Sequence, residues 1–260
     1  MSILLHELRR GRLPLLIWAG AVAGMLGISI LVYPEMTNQI GQINEMFSQM
    51  GSFTAAFGMD RVNFGEFTGY FAVECGNVLG LGGGMFAALI GIAMLAKESK
   101  DHTADFLFTH PISRGRIWCE KLLAAFCQIL MLNLTVAAVA LVAALAIGQS
   151  PDWGRISLVL LAYLLMQLLI GAAAFGLSAF IRGGALGIGL GLALALYFFN
   201  ILSNITDSLE WLKYLTPFAF ADGSSLIADG VIPTGYLLSF GLIASAAAGI
   251  GFYRFCRKDL

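Results

Sequence analysis

Histidines, cysteines and glycine-rich stretches could support catalysis in this sequence, but none has the spacing that a catalytic site requires. The three histidines, His6, His102 and His110, form no H-E-x-x-H motif and lie outside the long apolar segments, away from any serine within those segments. No G-x-x-x-x-G-K-S/T motif is present to hold nucleotide phosphates. We therefore predict that the chain has no catalytic residue and binds no cofactor itself.

The four cysteines also lack a pattern that indicates metal binding. Cys75, Cys119, Cys127 and Cys256 follow no regular spacing and lie within or beside apolar segments. We interpret them as packing residues, with a metal site or a disulfide as the alternative. The sequence thus predicts no metal-ligating group.

Uncharged amides inside the apolar segments are the remaining candidates for function. They are Asn77, Gln128, Asn133, Gln167 and Asn200. Polar side chains are costly within a membrane and are functional candidates for that reason, but amides also hold membrane helices together by hydrogen bonds. For each amide a place on a translocation path and a role in helix packing both stay open, and packing is the more frequent role.

The composition defines the elements that must position these side chains. Of the 260 residues, 58% are hydrophobic and 12% are charged, and the mean hydropathy is +0.83. Soluble domains of this length are about 25% charged. The sequence therefore predicts an integral membrane protein.

Six apolar segments are long enough to cross about 30 Å of hydrocarbon, which takes about 20 helical residues. They span residues 13–33, 70–96, 122–147, 156–181, 185–205 and 235–255. Lipid offers no partner for an exposed peptide group, so each should be a helix. We predict an all-α, polytopic fold in which residues 1–260 form a single transmembrane domain.

The basic residues orient the spans. If both termini are cytoplasmic, the outer side holds only Arg61, Arg155 and Lys213. The inner side then holds the other basic residues: Arg9, Arg10, Arg12, Lys97, Lys100, Arg114, Arg116, Lys121, Arg182, Arg254, Arg257 and Lys258. This bias follows the positive-inside rule and predicts two cytoplasmic termini. It also argues against nucleic acid as a partner.

Three connecting segments have patterns of their own. Residues 1–12 place leucines on one helical face and charges on the other, which predicts a short interfacial helix, with a continuation of the first span as the alternative. Residues 34–69 form an outer segment that carries an amphipathic pattern. Residues 206–234 are rich in aromatic side chains, which predicts a re-entrant or interfacial segment on the outer side.

Glycines repeat at intervals of four in two spans. The second span contains Gly76, Gly80 and Gly84, and the fifth contains Gly187 and Gly191 after Gly183. Small residues at this spacing let helices approach closely. We interpret them as packing sites within one chain, with a subunit interface as the alternative.

A polar stretch, residues 97–121, interrupts the apolar sequence between the second and third spans. Asp101 and Thr103 can cap a short helix that Pro111 ends, and Ser113 or Thr109 can cap the helix that enters the third span. The apolar side chains of Phe106 and Leu107 would otherwise face water. The stretch therefore predicts a cytoplasmic contact site for another protein, with a solvated loop as the alternative.

The same stretch resembles the inner loop of type-2 ABC export permeases. The resemblance rests on Glu98, Thr103, the pair Phe106-Leu107, the run Pro111-Ile112-Ser113-Arg114 and Lys121. Two further stretches share it: Tyr214-Leu215-Thr216-Pro217-Phe218, and residues 254–260. With the six spans, the resemblance covers essentially the whole chain. His102 departs from the family pattern, which usually has glycine there.

The resemblance implies a transporter subunit. In such permeases two six-span subunits pair, and each binds a separate ATPase through the inner loop, called the coupling helix. ATP and Mg²⁺ would then bind to the partner ATPase. The docking residues implied for this chain are Glu98, Asp101, Thr103, Phe106, Leu107, Pro111 and Arg114.

Two other kinds of membrane protein are alternatives to a transporter. One is an ATP-independent channel, although the spans show neither a ring of charge nor a repeated filter sequence. The other is a structural or sensor protein. If the spans do form a path, their near absence of charge favours an apolar, amphipathic or peptide-like substrate over a small ion. Bacterial cytoplasmic membrane is the expected location.

Overall fold

The computed structural model describes residues 3–37, 61–101, 113–181 and 185–257, together with Thr54, Ala56 and Met59. Six helices in this part of the chain are long and apolar enough to cross a membrane, and no strand occurs there. The six spans are, in order, Ile3–Thr37, Phe67–Ala96, Arg114–Ala146, Trp153–Ser178, Leu186–Ile205 and Thr234–Arg257. The prediction of an all-α fold with six transmembrane helices is confirmed.

Polar side chains define where several helices begin. The hydroxyl of Ser113, as predicted, accepts a hydrogen bond from the Arg116 amide at the start of the third span. Asp152 caps the fourth span by accepting from the amides of Gly154 and Arg155. Each cap satisfies N–H groups that have no partner within the helix.

The prediction of a separate interfacial helix over residues 1–12 is wrong, and the alternative, a continuation of the first span, is what the structure has. A single helix runs from Ile3 to Thr37 and continues through Pro14. The amide of Leu4 donates to Oε2 of Glu120 at 3.2 Å, so a carboxylate of the third span caps this helix. Glu7 is buried against the third span as well. These contacts hold the N-terminal residues beside the third span, so they do not form a separate helix.

Both ends of the described chain lie at the same end of the bundle. Leu4 contacts Glu120 near the start of the third span, and the Cys256 carbonyl near the end of the sixth span contacts Arg114. The second span ends and the third span begins at this end, which we call the loop end; the opposite end is the far end. The common placement agrees with the predicted topology, but the side that faces the cytoplasm stays a prediction.

The second and fourth spans form the centre of the bundle. They pack against each other, the first span pairs with the third, the sixth packs on the fourth, and the fifth packs on the second. Many large apolar side chains of the first, third, fifth and sixth spans are exposed. In a bilayer, lipid covers such surfaces.

The glycines of the second span receive side chains from its neighbours. A short π-helical segment, Gly76–Gly80, interrupts the span. A Cβ atom at Gly76 would lie 2.8 Å from the Tyr163 hydroxyl oxygen, and one at Gly80 would lie 3.0 Å from Cε1 of the same ring. These glycines therefore serve packing within the chain. In the fifth span, by contrast, Gly187 and Gly191 face open space.

The segment between the fifth and sixth spans folds back onto the bundle. It contains 3-10 helices at Asp207–Tyr214 and Pro217–Ala219 and an α-helix at Gly223–Asp229. Thr216 is fully buried and donates from its hydroxyl to the Leu196 carbonyl at 2.7 Å. The amphipathic pattern of the earlier outer segment falls mostly in residues 38–53, outside the described residues.

Replacing Gly91 by alanine is expected to destabilise the bundle. The new Cβ would lie 2.5 Å from the Gly171 carbonyl oxygen and 3.0 Å from the Phe175 amide nitrogen. Backbone atoms of the fourth span cannot move away cheaply, so we expect a loss of about 1–3 kcal/mol in the free energy of unfolding. Unfolding by SDS titration in mixed micelles measures it.

Gly24→Ala is the matched control, because nothing lies within 4 Å of a Cβ at Gly24. This variant should unfold at the same SDS fraction as the original protein or at a slightly higher one, since alanine favours helix. Equal losses in the two variants would contradict close packing of the second and fourth spans at Gly91.

Candidate functional site

The structure describes only part of the predicted docking loop. The helix of the second span continues to Asp101, so the backbones of Glu98 and Asp101 belong to its last turns. Thr103, Phe106, Leu107 and Pro111 lie outside the described residues, and their docking role stays a prediction. The other side of the loop begins with Ser113 and Arg114, which open the third span.

A buried ion pair lies beneath the two ends of this loop. Nζ of Lys121 is 2.5 Å from Oε1 of Glu7 and donates to the Met94 carbonyl at 3.2 Å. The Lys121 side chain is 1% exposed and that of Glu7 is 8% exposed. A charge buried so completely requires a charged or hydrogen-bonding partner. Lys121 thus joins the first, second and third spans.

Arg114 connects the loop to the sixth span. Its Nη1 atom donates to the Cys256 carbonyl oxygen at 3.0 Å. One turn further along, Trp118 packs its ring against Phe175, Phe252 and Phe255, with ring centroids 4.5, 5.7 and 5.6 Å away. Because Arg114 has this contact within its own chain, charge reversal there would disturb the loop end itself and is a poor test of docking.

These contacts link the two ends of the loop to most of the bundle. Lys121 reaches the first and second spans, Arg114 reaches the sixth, and Trp118 reaches the fourth and sixth. A displacement of the start of the third span would therefore reach five spans, including the third itself, through polar and aromatic contacts. Close-packed interiors transmit such displacements because they have little free volume.

Asn133 and Gln167 meet in the centre of the bundle. Nδ2 of Asn133 donates to Oε1 of Gln167 at 2.6 Å and to the Ile129 carbonyl at 2.9 Å. Nε2 of Gln167 donates to the Leu79 carbonyl at 3.3 Å, and a side chain at Gly83 would overlap with Gln167. The two amides therefore connect the second, third and fourth spans, as helix packing requires.

Gln128 lies apart from that pair, between the first and third spans. It is fully buried, and a side chain at Gly11 would overlap with its amide. Neither Nε2 nor Oε1 has a hydrogen-bond partner within the described residues. Gln128 is two helical turns from Lys121 on the same seam of the third span. It too lies in a helix contact, away from any cavity described below.

The other two predicted amides share a small cavity at the far end. Asn77 and Asn200 both line this space of about 40 Å³, which is room for a few water molecules. Its other polar lining residues are Asn204, Tyr163, Tyr197, Asp222 and Ser224. The side chains of Asn77 and Asn200 form no hydrogen bond within the described part of the chain and are partly exposed. They are therefore available to a ligand.

Sequence reasoning missed several residues of both sites. The sequence presents Glu7 only as one of the charges within residues 1–12, and Lys121 only as a basic residue of the inner side and as part of the family resemblance. A lysine and a glutamate that each flank an apolar segment give only a weak signal of pairing, because the two residues are more than 100 positions apart in sequence. Tyr163 and Asp222 were missed at the cavity because their approach depends on how the chain folds back.

Comparison with known proteins places the chain in a family. A family model described as ABC-2 family transporter protein matches residues 1–260. A search of curated proteins found no match. The family match agrees with six apolar helices and with the resemblance of the inner loop. Such a permease is a multi-pass membrane component that associates with an ABC ATPase and with lipid. The whole chain, residues 1–260, belongs to the ABC-2 family of transporter proteins.

Proposed function

We propose that this chain is the permease subunit of an ATP-driven exporter in the bacterial cytoplasmic membrane. Two permease subunits would form the translocation path, and two ATPase subunits would bind their inner loops. ATP and Mg²⁺ bind to the ATPases, and the permease binds no cofactor. ATPase closure moves the loops, and the spans change between inward-facing and outward-facing states.

The contacts at the loop end, above all the buried ion pair of Lys121, are the observation that carries this proposal. Lys121 connects the third span to Glu7 and to the Met94 carbonyl, and Arg114 connects it to the sixth span. A loop that served only as a solvated connector would need no buried ion pair at its base. A loop that transmits movement needs stiff contacts there, because slack contacts would absorb the displacement.

The fifth span supports a paired permease. It packs mainly on the second span and leaves Gly187 and Gly191 facing open space. Leu186 and Ile188 on the same helix are exposed. Small residues on an uncovered helix face allow close approach of another helix. A second copy of this chain or a related permease would cover that face.

The amides at the far-end cavity, rather than its volume of about 40 Å³, support a path for substrate. Asn77 and Asn200 present amide groups there that are not used in packing within the described residues. Asp222 is the acidic lining residue, and it already accepts from the Ser224 amide and the Ser225 hydroxyl. Neutral donors and acceptors fit a peptide-like or amphipathic substrate better than a small ion. The substrate class stays a prediction.

Phe106→Asp is expected to release the ATPase subunit while the permease stays inserted. If Phe106 fills an apolar groove on the ATPase, a carboxylate there would be desolvated without a partner, and co-purification should fall at least about tenfold. The measurement is the amount of ATPase retained by tagged permease in detergent. Membrane insertion is measured in parallel.

His110→Asp is the matched control, since it adds a carboxylate to the same loop at a position that the resemblance does not assign to docking. This variant should retain the ATPase. Full retention by Phe106→Asp would remove the docking role of the loop. Equal release by both variants would show that charge, not a specific apolar contact, governs binding.

A further inference from the structure

A groove at the loop end combines exposed arginines with an apolar floor. It lies between the ends of the fourth and sixth spans and has a volume of about 350 Å³. Phe180, Ile250, Tyr253, Arg254 and Arg257 line it. The loop-end contacts described above involve other residues of the sixth span, so neither the proposed docking loop nor the far-end cavity accounts for this groove.

Aromatic rings hold the two arginines in place, and no acidic group among the described residues neutralises them. The guanidinium carbon of Arg254 lies 4.8 Å from the centroid of the Phe180 ring, and that of Arg257 lies 4.3 Å from the centroid of Tyr253. Within the described ranges neither arginine has an ion pair. Stacking on a ring leaves the N–H groups at the guanidinium edge free to bind an anion.

The apolar part of the groove extends from the arginines toward the membrane. Ile250 lies one turn before Arg254 on the same helix and is 61% exposed, and Phe180 is 47% exposed. Charged groups at the end of a span lie at the level of lipid headgroups, and the apolar residues one turn deeper lie beside acyl chains. The groove therefore presents two cations to a headgroup and an apolar surface to the chain below it.

We propose that this groove binds an anionic phospholipid of the leaflet at the loop end. Arg254 and Arg257 hold the phosphate through charge-assisted hydrogen bonds, and one acyl chain lies along Ile250 and Phe180. The cytoplasmic leaflet is the anionic one in many membranes, which agrees with the predicted side of the loop end. The site does not depend on the proposed transport function.

Native mass spectrometry of the full-length protein in detergent tests the site. The probes are phosphatidylglycerol and phosphatidylcholine with identical acyl chains. The original protein should prefer phosphatidylglycerol, and the double variant Arg254→Gln/Arg257→Gln should lose about 30-fold in affinity for it, since each arginine near the headgroup contributes about fivefold. Affinity for phosphatidylcholine should stay unchanged.

Two further variants separate a specific site from general charge and from misfolding. Arg12→Gln/Arg116→Gln also removes two exposed arginines from the loop-end half of the bundle, of which Arg116 is paired with Glu120, and it should keep the preference for phosphatidylglycerol. Arg254→Lys/Arg257→Lys keeps both charges and should keep most of the preference for phosphatidylglycerol. This variant tests the site even if the glutamine variant does not fold.

Several outcomes would overturn the proposal. These are equal affinity of the original protein for the two lipids, an equal loss in the Arg12/Arg116 variant, and a lysine variant that folds but shows no preference. Competition by free glycerol phosphate as effective as that by the lipid would identify a phosphate site without a lipid component. If Arg254→Gln/Arg257→Gln released the ATPase but kept its affinity for phosphatidylglycerol, the arginines would belong to the contact with the protein partner instead.

Discussion

Replacing Lys121 by methionine is expected to destabilise the protein more than any other single substitution described above. Methionine fills similar volume but leaves the Glu7 carboxylate buried without its cation, and it removes the donor to the Met94 carbonyl. Removal of one partner from a buried ion pair costs about 3–5 kcal/mol. SDS-titrated unfolding in mixed micelles measures this loss.

The surface pair Lys213–Glu210 supplies the matched control. Nζ of Lys213 is 3.1 Å from Oε1 of Glu210, and the two side chains are 18% and 62% exposed. Lys213→Met should cost no more than about 1 kcal/mol, because the Glu210 carboxylate that it leaves behind is exposed to solvent. A Lys121→Met variant as stable as Lys213→Met would mean that the buried pair contributes little.

A double variant shows whether Glu7 is the cause of the loss. Glu7→Gln/Lys121→Met removes both charges, so its stability should exceed that of Lys121→Met alone.

The same double variant tests the coupling of ATP hydrolysis to transport separately from folding. If stiff loop-end contacts transmit movement, the double variant should bind the ATPase normally but show reduced transport for each ATP hydrolysed. Unchanged transport per ATP would limit the pair to a structural role.

Replacing Gln167 by leucine should also cost stability, by about 1–3 kcal/mol. The Leu79 carbonyl would lose its side-chain donor, and Nδ2 of Asn133 would keep only the Ile129 carbonyl. Buried groups left without a partner carry this penalty. The flat amide of Gln167 already fills the space beside Gly83. Leucine branches at Cγ and is less flat than the amide, so it fits this space less well. Unfolding by SDS titration is again the measurement.

Asn200→Ala is the contrasting variant. Asn200 lines the far-end cavity and makes no side-chain hydrogen bond within the described residues, so its loss should leave stability within about 0.5 kcal/mol. Transport by the reconstituted complex should fall instead if the cavity lies on the path. A large stability loss in Asn200→Ala, together with none in Gln167→Leu, would reverse the two assignments.

The spans were predictable because one physical requirement dominates each of them. A segment that crosses hydrocarbon must satisfy its own peptide groups, so about 20 apolar residues in sequence specify a helix without reference to the rest of the chain. The predicted 122–147 and 156–181 correspond to Arg114–Ala146 and Trp153–Ser178. The ends differ because capping residues and tertiary contacts, not hydropathy alone, decide where a helix begins.

The N-terminal segment shows where such reasoning fails. Its leucines and charges form an amphipathic pattern that suits the membrane surface, yet the helix continues into the first span. Glu120 caps its N-terminus and Lys121 pairs with Glu7. Both partners lie more than 100 residues away in sequence. No local pattern in residues 1–12 could reveal them.

The five intramembrane amides make the same point for function. They were equivalent in sequence, since each is an uncharged polar residue in an apolar segment. The structure places Asn133 and Gln167 in one hydrogen-bonded contact, Gln128 against Gly11, and Asn77 with Asn200 at a cavity. Only the neighbours of each side chain distinguish a packing amide from one that is available to a ligand.

The sequence by itself determined a six-span membrane protein with a polar loop between the second and third spans and no nucleotide-binding motif, because hydropathy and charge act locally along the chain. The tertiary structure decided which polar groups are buried together, above all Lys121 with Glu7 and the Met94 carbonyl. The reason is physical: the cost of burying a polar group depends on its partners in space, and those partners belong to spans that are distant in sequence.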